Sequence, residues 1–244
     1  MASTLLPPGA CRLFEPLSPF EIEAAVLSLK VAGASMLVTA PIALGLAWLL
    51  ARGVFPGKWL VETLVNLPLV LPPVVTGLVL LMLFGVRGPI GGWLHDVFGV
   101  TLAFHWTGAA LAAGIMALPL VVRPMRLSLE GVDRGLEQAA ASLGAPPLHV
   151  FARITLPLAA PGIIAGLVLG FARAFGEFGA TVTFAGAIPG ETQTLPVAIY
   201  ASLQRADGEP AAIRLAVVSV AVCILALVLA EWTNRRSLRG RTVA

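Results

Sequence analysis

Five stretches of this chain, near positions 22–50, 60–84, 106–122, 158–178 and 213–232, are apolar for long enough to carry a helix through lipid. About 20 helical residues cross a hydrocarbon core of roughly 30 Å. Inside that core each backbone N–H and C=O must find its partner within the protein, which restricts spanning structures to helices and closed barrels. Runs this long select the helix. The chain is therefore expected to be all-α, a polytopic helical membrane protein with about five transmembrane helices. Composition agrees, because only 12% of residues are charged, against roughly 25% in soluble chains. The net charge of +3 sits in the connections rather than in a patch, so the bilayer is the expected partner and nucleic acid is not.

The placement of bases orients the chain. If the long polar connection at about 130–157 is cytoplasmic, Arg52, Lys58, Arg123, Arg126, Arg134, Arg153, Arg235, Arg236, Arg239 and Arg241 all lie inside. Arg12, Arg87, Arg205 and Arg214 then lie outside, a clear bias under the positive-inside rule. The reading divides the chain into a short extracytoplasmic tail at 1–20, a transmembrane domain at 21–234 and a basic cytoplasmic tail at 235–244. Pro7, Pro8, Pro16 and Pro19 make the tail irregular, with no basic start or apolar stretch of a signal peptide. Trp48, Trp59, Trp106 and Trp232 fall near span ends, as interfacial anchors do. Lys30 is expected to snorkel or to meet a carboxylate such as Glu23. Between the spans, 85–105 reads as an interfacial segment and 186–212 as a long polar loop able to hold a re-entrant piece. Cys11 and Cys223 make no disulfide framework, and His95, His105 and His149 are too scattered for a metal site.

One segment breaks the apolar pattern in an ordered way, LEQAAASLGAPPLHVFARITLPLAAPG at 136–162. Gln138, Ala139, Ala140, Ala141 and Leu143 favour a short helix, which Gly144 can end because glycine tolerates the left-handed conformation. Pro146 and Pro147 suit a turn and the first position of a second helix. Leu148, Phe151, Ala152 and Thr155 then recur at helical spacing, and Leu156-Pro157 closes that piece and admits the next span. Small alanines allow a partner to approach, and Leu143, Leu148 and Phe151 suit a partner's pocket. The plainer alternative is an interfacial helix lying on the membrane. No phosphate loop exists: Gly53 to Lys58 has the wrong spacing and lacks the following Ser or Thr.

This segment resembles the coupling ("EAA") loop of ABC importer permeases. The family pattern of Glu-Ala-Ala, a Gly about four residues on and Ile-x-Leu-Pro falls on Gln138, Ala139, Ala140, Gly144, Ile154, Leu156 and Pro157. Gln138 departs from it, standing where the family has Glu, with Glu137 one residue earlier. The resemblance implies a type I ABC importer permease (MetI-like) fold. It also implies coupling to an ATPase through Glu137, Gln138, Ala139, Ala140, Leu143, Gly144, Leu148, Phe151, Ile154 and Pro157. ATP and Mg would be bound by the partner ATPase, and this subunit would hold no cofactor and catalyse nothing.

The fourth span carries Arg173 and Glu177, four residues apart and so on one helix face. Charges near the bilayer centre cost about 2.5–3.5 kcal/mol each on insertion scales, so such a pair faces a bundle interior or a wet cavity. The pair either neutralises itself near the outer interface or helps line and gate a pathway. Gly162, Gly166 and Gly170 smooth one face of the span for close helix packing. Gly176 and Gly179 bracket Glu177 and can loosen the helix end.

The run at 171–200, FARAFGEFGATVTFAGAIPGETQTLPVAIY, is similar to molybdate permeases of the ABC class. Its Gly-Glu-Phe-Gly core is shared with sulfate and tungstate permeases. The following IPGETQTLP, with LPLVLPPVVTG at 67–77 and LEGVDRGLEQAA at 129–140, favours molybdate. The resemblance implies an inner-membrane homodimer working with two ATPase subunits and an extracytoplasmic molybdate-binding protein. The expected pathway and gate residues are Arg173, Gly176, Glu177, Gly179, Thr181 and Thr183, with the threonine hydroxyls and backbone amides passing a tetrahedral dianion. The alternatives are a permease for sulfate, tungstate or another oxyanion and, in a different class, a stand-alone secondary transporter or channel. An intramembrane enzyme would need a nucleophile-base or metal constellation, and none of adequate spacing is present.

Overall fold

The computed structural model describes residues 16–239, with side chains to Val228. Cys11, Arg12 and Arg241 lie outside the described residues, as do the side chains of Trp232, Arg235, Arg236 and Arg239. Among the described residues every regular element is helical. In chain order the helices are α1 (Pro19–Arg52), α2 (Lys58–Val70), α3 (Pro73–Phe84), α4 (Pro89–Phe98), α5 (Trp106–Glu130) and α6 (Arg134–Ser142). They continue with α7 (Pro147–Val150), a π-helical turn (Phe151–Thr155), α8 (Leu156–Phe175), α9 (Gly179–Phe184), α10 (Leu195–Leu203) and α11 (Glu209–Arg239).

Four stretches are long and apolar enough to cross a membrane: Pro19–Arg52, Trp106–Glu130, Pro147–Phe175 and Glu209–Val228. A fifth is divided. Where the sequence suggests one span over 60–84, α2 and α3 form a pair bent by 115°. The cause is Leu71-Pro72-Pro73. A residue before proline is pushed out of the helical region, and both Leu71 (ψ 139°) and Pro72 (ψ 134°) are extended. Neither proline has an N–H to carry a helix across the joint. Each half, at about 1.5 Å per residue, is too short to cross the core by itself.

A second difference concerns Leu156-Pro157, which was expected to end one helix and begin another. The chain instead runs as one continuous rod over Pro147–Phe175. The π turn explains it: the Leu156 N–H donates to the Phe151 carbonyl, five residues back, so the ladder widens where Pro157 offers no N–H. The rod is about 43 Å long at 1.5 Å per residue.

The core is centred on α5, 67% of whose apolar window is buried, against 33% or less for the other spans. Its small side chains let α1 and α8 come close. The α8 glycines face it directly: a β-carbon at Gly166 would stand 2.7 Å from the Val121 carbonyl oxygen, and one at Gly162 2.5 Å from that of Pro124. The Ser128 hydroxyl donates to the Ala159 carbonyl across the same seam at 3.1 Å.

The helices are tied at both ends by polar contacts. At one end Arg126 bridges Glu62 of α2 at 2.8 Å and Glu130 at 2.7 Å, and the Arg123 Nε donates to Asn66. At the other, Arg214 of α11 pairs with buried Glu21 of α1 at 2.8 Å, and the Leu195 N–H donates to the Ser28 hydroxyl at 2.6 Å. Among the described residues Lys30 meets no carboxylate. Its Nζ lies 3.8 Å above the centroid of the Trp106 ring, a cation–π contact, while the Glu23 carboxylate approaches Gly190. The 85–105 segment contains the short helix α4, which exposes Trp93 and Phe98; in the 186–212 loop, α10 buries Leu195, Val197 and Ala198.

Candidate functional site

The coupling candidate is a helical hairpin built from α6, Gly144 and the start of the rod. Asp133 caps α6, its carboxylate accepting from the Gly135 N–H at 2.8 Å. The helix ends at Leu143, and Gly144 turns the chain with φ +85°, a conformation that strongly favours glycine. Pro147 then opens α7.

Leu143 is 90% and Leu148 83% exposed, one on each side of the turn. Gln138, Ala139 and Pro157 are exposed, and Ala140 and Ile154 half-buried. Phe151 turns inward, its ring 6.4 Å from that of Trp48 in an edge-to-face contact. The apolar tip thus faces away from the bundle while the aromatic base holds it.

Glu137 has a different place from its neighbours. Its Oε1 accepts from the Arg52 guanidinium at 2.9 Å and from the Thr155 hydroxyl at 2.6 Å. Arg52 also donates to the Val132 carbonyl at 3.3 Å. One carboxylate therefore joins α6 to the end of α1 and to the π turn. A cleft of about 380 Å³ lies between Trp48, Arg52, Gln138 and Phe151, and beside it Glu137 is a polar strut of the hairpin. The sequence counts Glu137 among the residues coupling to an ATPase, and it carries no signal for Arg52, 85 positions away, which engages that carboxylate within the chain.

Replacing Glu137 with Gln is expected to leave the protein folded and to weaken this joint by about 1.5–3 kcal/mol, the range for hydrogen bonds to charged groups. On the ATPase-coupling role that the resemblance implies for this hairpin, uptake per ATP hydrolysed should fall about fivefold, since couplings along packed networks change by about 0.5–2 kcal/mol. Parallel ATPase and uptake assays decide this. An unchanged ratio removes the strut role.

The second candidate lies at the far end of the rod. Gly176 ends α8, and the buried Glu177 carboxylate accepts from Arg173 and, at 2.8 Å, from the Ala180 N–H. Glu177 thus neutralises Arg173 and caps α9 in one residue. Positions 154–172, between Arg153 and Arg173, carry no charge. That interval is close to one hydrocarbon thickness of about 30 Å, which sets the pair at the boundary of the core.

Helix α9 lies against α3. A β-carbon at Gly179 would stand 2.7 Å from the Pro73 side chain, and one at Gly77 2.7 Å from the Ala180 carbonyl. Thr181 is 1% exposed, and the Thr183 hydroxyl donates to the Gly179 carbonyl at 2.8 Å. The structure therefore brings Arg173, Gly176, Glu177 and Gly179 together as a joint to the bent α2–α3 pair. Thr181 is thus buried in this joint and Thr183 half-buried beside it. Among the described residues no cluster of His, Cys, Asp and Glu could hold a metal ion.

Residues 42–239 match the model for the inner membrane component of binding-protein-dependent transport systems. The chain belongs to that family. This permease is 54% identical to the molybdenum transport system permease protein ModB of Escherichia coli (strain K12), over 89% of its own length and 95% of the relative's. It is 39% identical to the sulfate transport system permease protein CysT of the same organism, over 75% and 65%. Its fold matches a subunit of a bacterial alginate ABC transporter crystallised with its periplasmic protein, with a TM-score of 0.70, 20% identity and coverage of 90% and 80%. The all-α expectation and the ABC permease fold are both present, and the permease is a multi-pass inner-membrane transport subunit rather than an enzyme.

Proposed function

We propose that this permease is the membrane subunit of an ATP-driven importer of molybdate. The observation that carries the coupling role is mechanical. An exposed apolar tip, Leu143 and Leu148, sits at the base of a continuous rod whose other end joins the bent α2–α3 pair through Glu177 and α9. The substrate reading is supported by the 54% identity to a molybdenum permease over nearly all of both chains, against 39% over a smaller share for a sulfate permease.

In this reading two copies form a homodimer, and two ATPase subunits, which bind ATP and Mg, grip Gln138, Ala139, Ala140, Leu143, Gly144 and Leu148. The N-terminus is outside and the C-terminus cytoplasmic. An extracytoplasmic binding protein delivers the anion to the opposite face. Closure of the ATPases pushes the hairpin, Glu137 passes the load to α1 and the π turn, and the rod tilts. Because the rod has no break between Pro147 and Phe175, the motion reaches Gly176 and moves α9 against Pro73 and Gly77. The re-aimed α3 opens or closes the path at the dimer axis. The exposed apolar side chains of α3, including Val74, Leu78 and Met82, suit that axis.

The test is uptake into proteoliposomes containing the permease and its ATPase, with binding protein loaded with molybdate or with sulfate outside. ATP-dependent molybdate uptake without comparable sulfate uptake is expected. A preference for sulfate would reassign the substrate, and uptake without ATP would replace the importer with a secondary transporter.

A further inference from the structure

Away from the hairpin and from the Glu177 joint, an apolar groove of about 510 Å³ runs between α1 and α5. Ala34, Val38 and Ile42 form one wall and Leu111, Ile115 and Leu118 the other. Val38 and Ile42 are more than half exposed, so the groove opens outward from the bundle. From Ala34 to Ile42 it extends about 12 Å at 1.5 Å per residue, close to the hydrocarbon depth of one leaflet, half of about 30 Å.

Its end nearest the N-terminus of α1 is polar in a particular order. Lys30, one helical turn beyond Ala34, is exposed and held over the ring of Trp106, itself a lining residue. No ion pair to Lys30 occurs among the described residues, and the neighbouring Glu191 is engaged by His105 at 3.0 Å. Positions 31–51, between Lys30 and Arg52, carry no charge, which sets Lys30 at headgroup level. Deeper in the groove, Ser35 is 2% exposed and its buried hydroxyl has no hydrogen-bond partner. A buried hydroxyl without a partner is costly, so its presence in a groove wall marks a place for an acceptor.

We propose that this groove binds one glycerophospholipid from the leaflet on the Lys30 side. Lys30 holds the phosphate, Ser35 donates to an ester carbonyl and one acyl chain lies between α1 and α5. The sequence of cation, hydroxyl and apolar wall repeats that of phosphate, ester and acyl chain. A free oxyanion would leave the apolar wall unused, and a second protein chain would have to supply an anion at the Lys30 level. Trp106 fixes the ammonium by its ring face without neutralising it, leaving the charge for the ligand.

The experiment uses the assembled transporter in nanodiscs containing a phosphatidylethanolamine whose acyl chain carries a photoreactive diazirine, with labelled peptides located by mass spectrometry. Labelling is expected to concentrate on 34–42 and 107–118 and to exceed that on the exposed α11 face at 217–228. The Lys30→Gln variant should lower groove labelling about fivefold, the effect of one base at a membrane surface, while α11 labelling stays constant. Ala34→Phe should remove it by filling the groove mouth. Equal labelling by a diacylglycerol with the same chain, or no change in Lys30→Gln, would overturn the proposal. So would disulfide capture of a second copy at Val38→Cys, which would mean that protein covers the groove. Lys30 is exposed, so its variant tests the site without disturbing the core.

Discussion

Gly144→Arg is expected to abolish ATP-driven uptake while the permease still folds and inserts. The reasoning separates backbone from surface. At φ +85° a residue with a β-carbon pays about 1–2 kcal/mol. Nothing lies within 4 Å of a β-carbon built there, so the core is untouched. The arginine would stand between Leu143 and Leu148 in sequence and place a charge in the middle of the proposed ATPase contact, where an unpaired desolvated charge costs several kcal/mol. A loss of 3 kcal/mol is about a 150-fold weaker grip by the ATPase. Gly144→Asn is the control, because Asn adopts the left-handed turn readily and adds no charge. Uptake and co-purification with the ATPase should survive in Gly144→Asn and vanish in Gly144→Arg. Full uptake in Gly144→Arg would remove the hairpin from the coupling path.

The second large effect belongs to the seam between α5 and α8. Gly166→Leu should prevent assembly, because even its β-carbon would lie 2.7 Å from the Val121 carbonyl oxygen, a backbone atom that cannot turn aside. The helices would have to separate, exposing Ser128 and losing its bond to the Ala159 carbonyl. Overpacking of this kind costs about 1–3 kcal/mol and more where backbone must move, and close approach at small residues is what holds membrane helices together. Gly33 and Gly45 supply the contrast, since a β-carbon at either meets nothing within 4 Å. Gly33→Ala and Gly45→Ala should therefore stay within about 1 kcal/mol of the parent protein, in the direction of greater helix stability. Thermal unfolding in detergent separates the two classes. If Gly166→Leu melts with the parent protein, the seam is not as drawn.

Much of the architecture was legible because lipid imposes a simple rule on sequence. A charge-free apolar run in lipid must be helical, so the apolar segments and their helical state follow from hydropathy alone, whereas their ends do not: the helix expected at 158–178 runs over Pro147–Phe175. The hairpin was legible for a local reason as well: Gly144 and the Pro146-Pro147 pair dictate a turn whatever surrounds them. The spacing of Gly162, Gly166 and Gly170 announced a close helix contact without naming its partner.

The partner is what tertiary structure decided. In a soluble protein the apolar face of a helix points to the core, but in a membrane the lipid-facing and core-facing sides are equally apolar, so hydropathy carries little direction. Shape decides instead: α8 packs on α5 because glycines meet backbone there, which no single helix reveals. Long-range polar ties were hidden for the same reason. Glu21 with Arg214, and Glu137 with Arg52 and Thr155, join residues far apart in sequence, and only their meeting turns Glu137 from a surface charge into a strut. Proline chemistry was ambiguous in sequence and was settled by packing. Pro72-Pro73 breaks a span by 115°, and Pro157, absorbed by a π turn, breaks nothing. Residue order alone makes the chain a helical membrane protein with an ordered polar hairpin between two of its spans. Packing alone joins the hairpin, a single rod and the bent α2–α3 pair into one connected unit, because continuity through Pro157 and contact at Gly77 and Gly179 depend on atoms brought together only by folding.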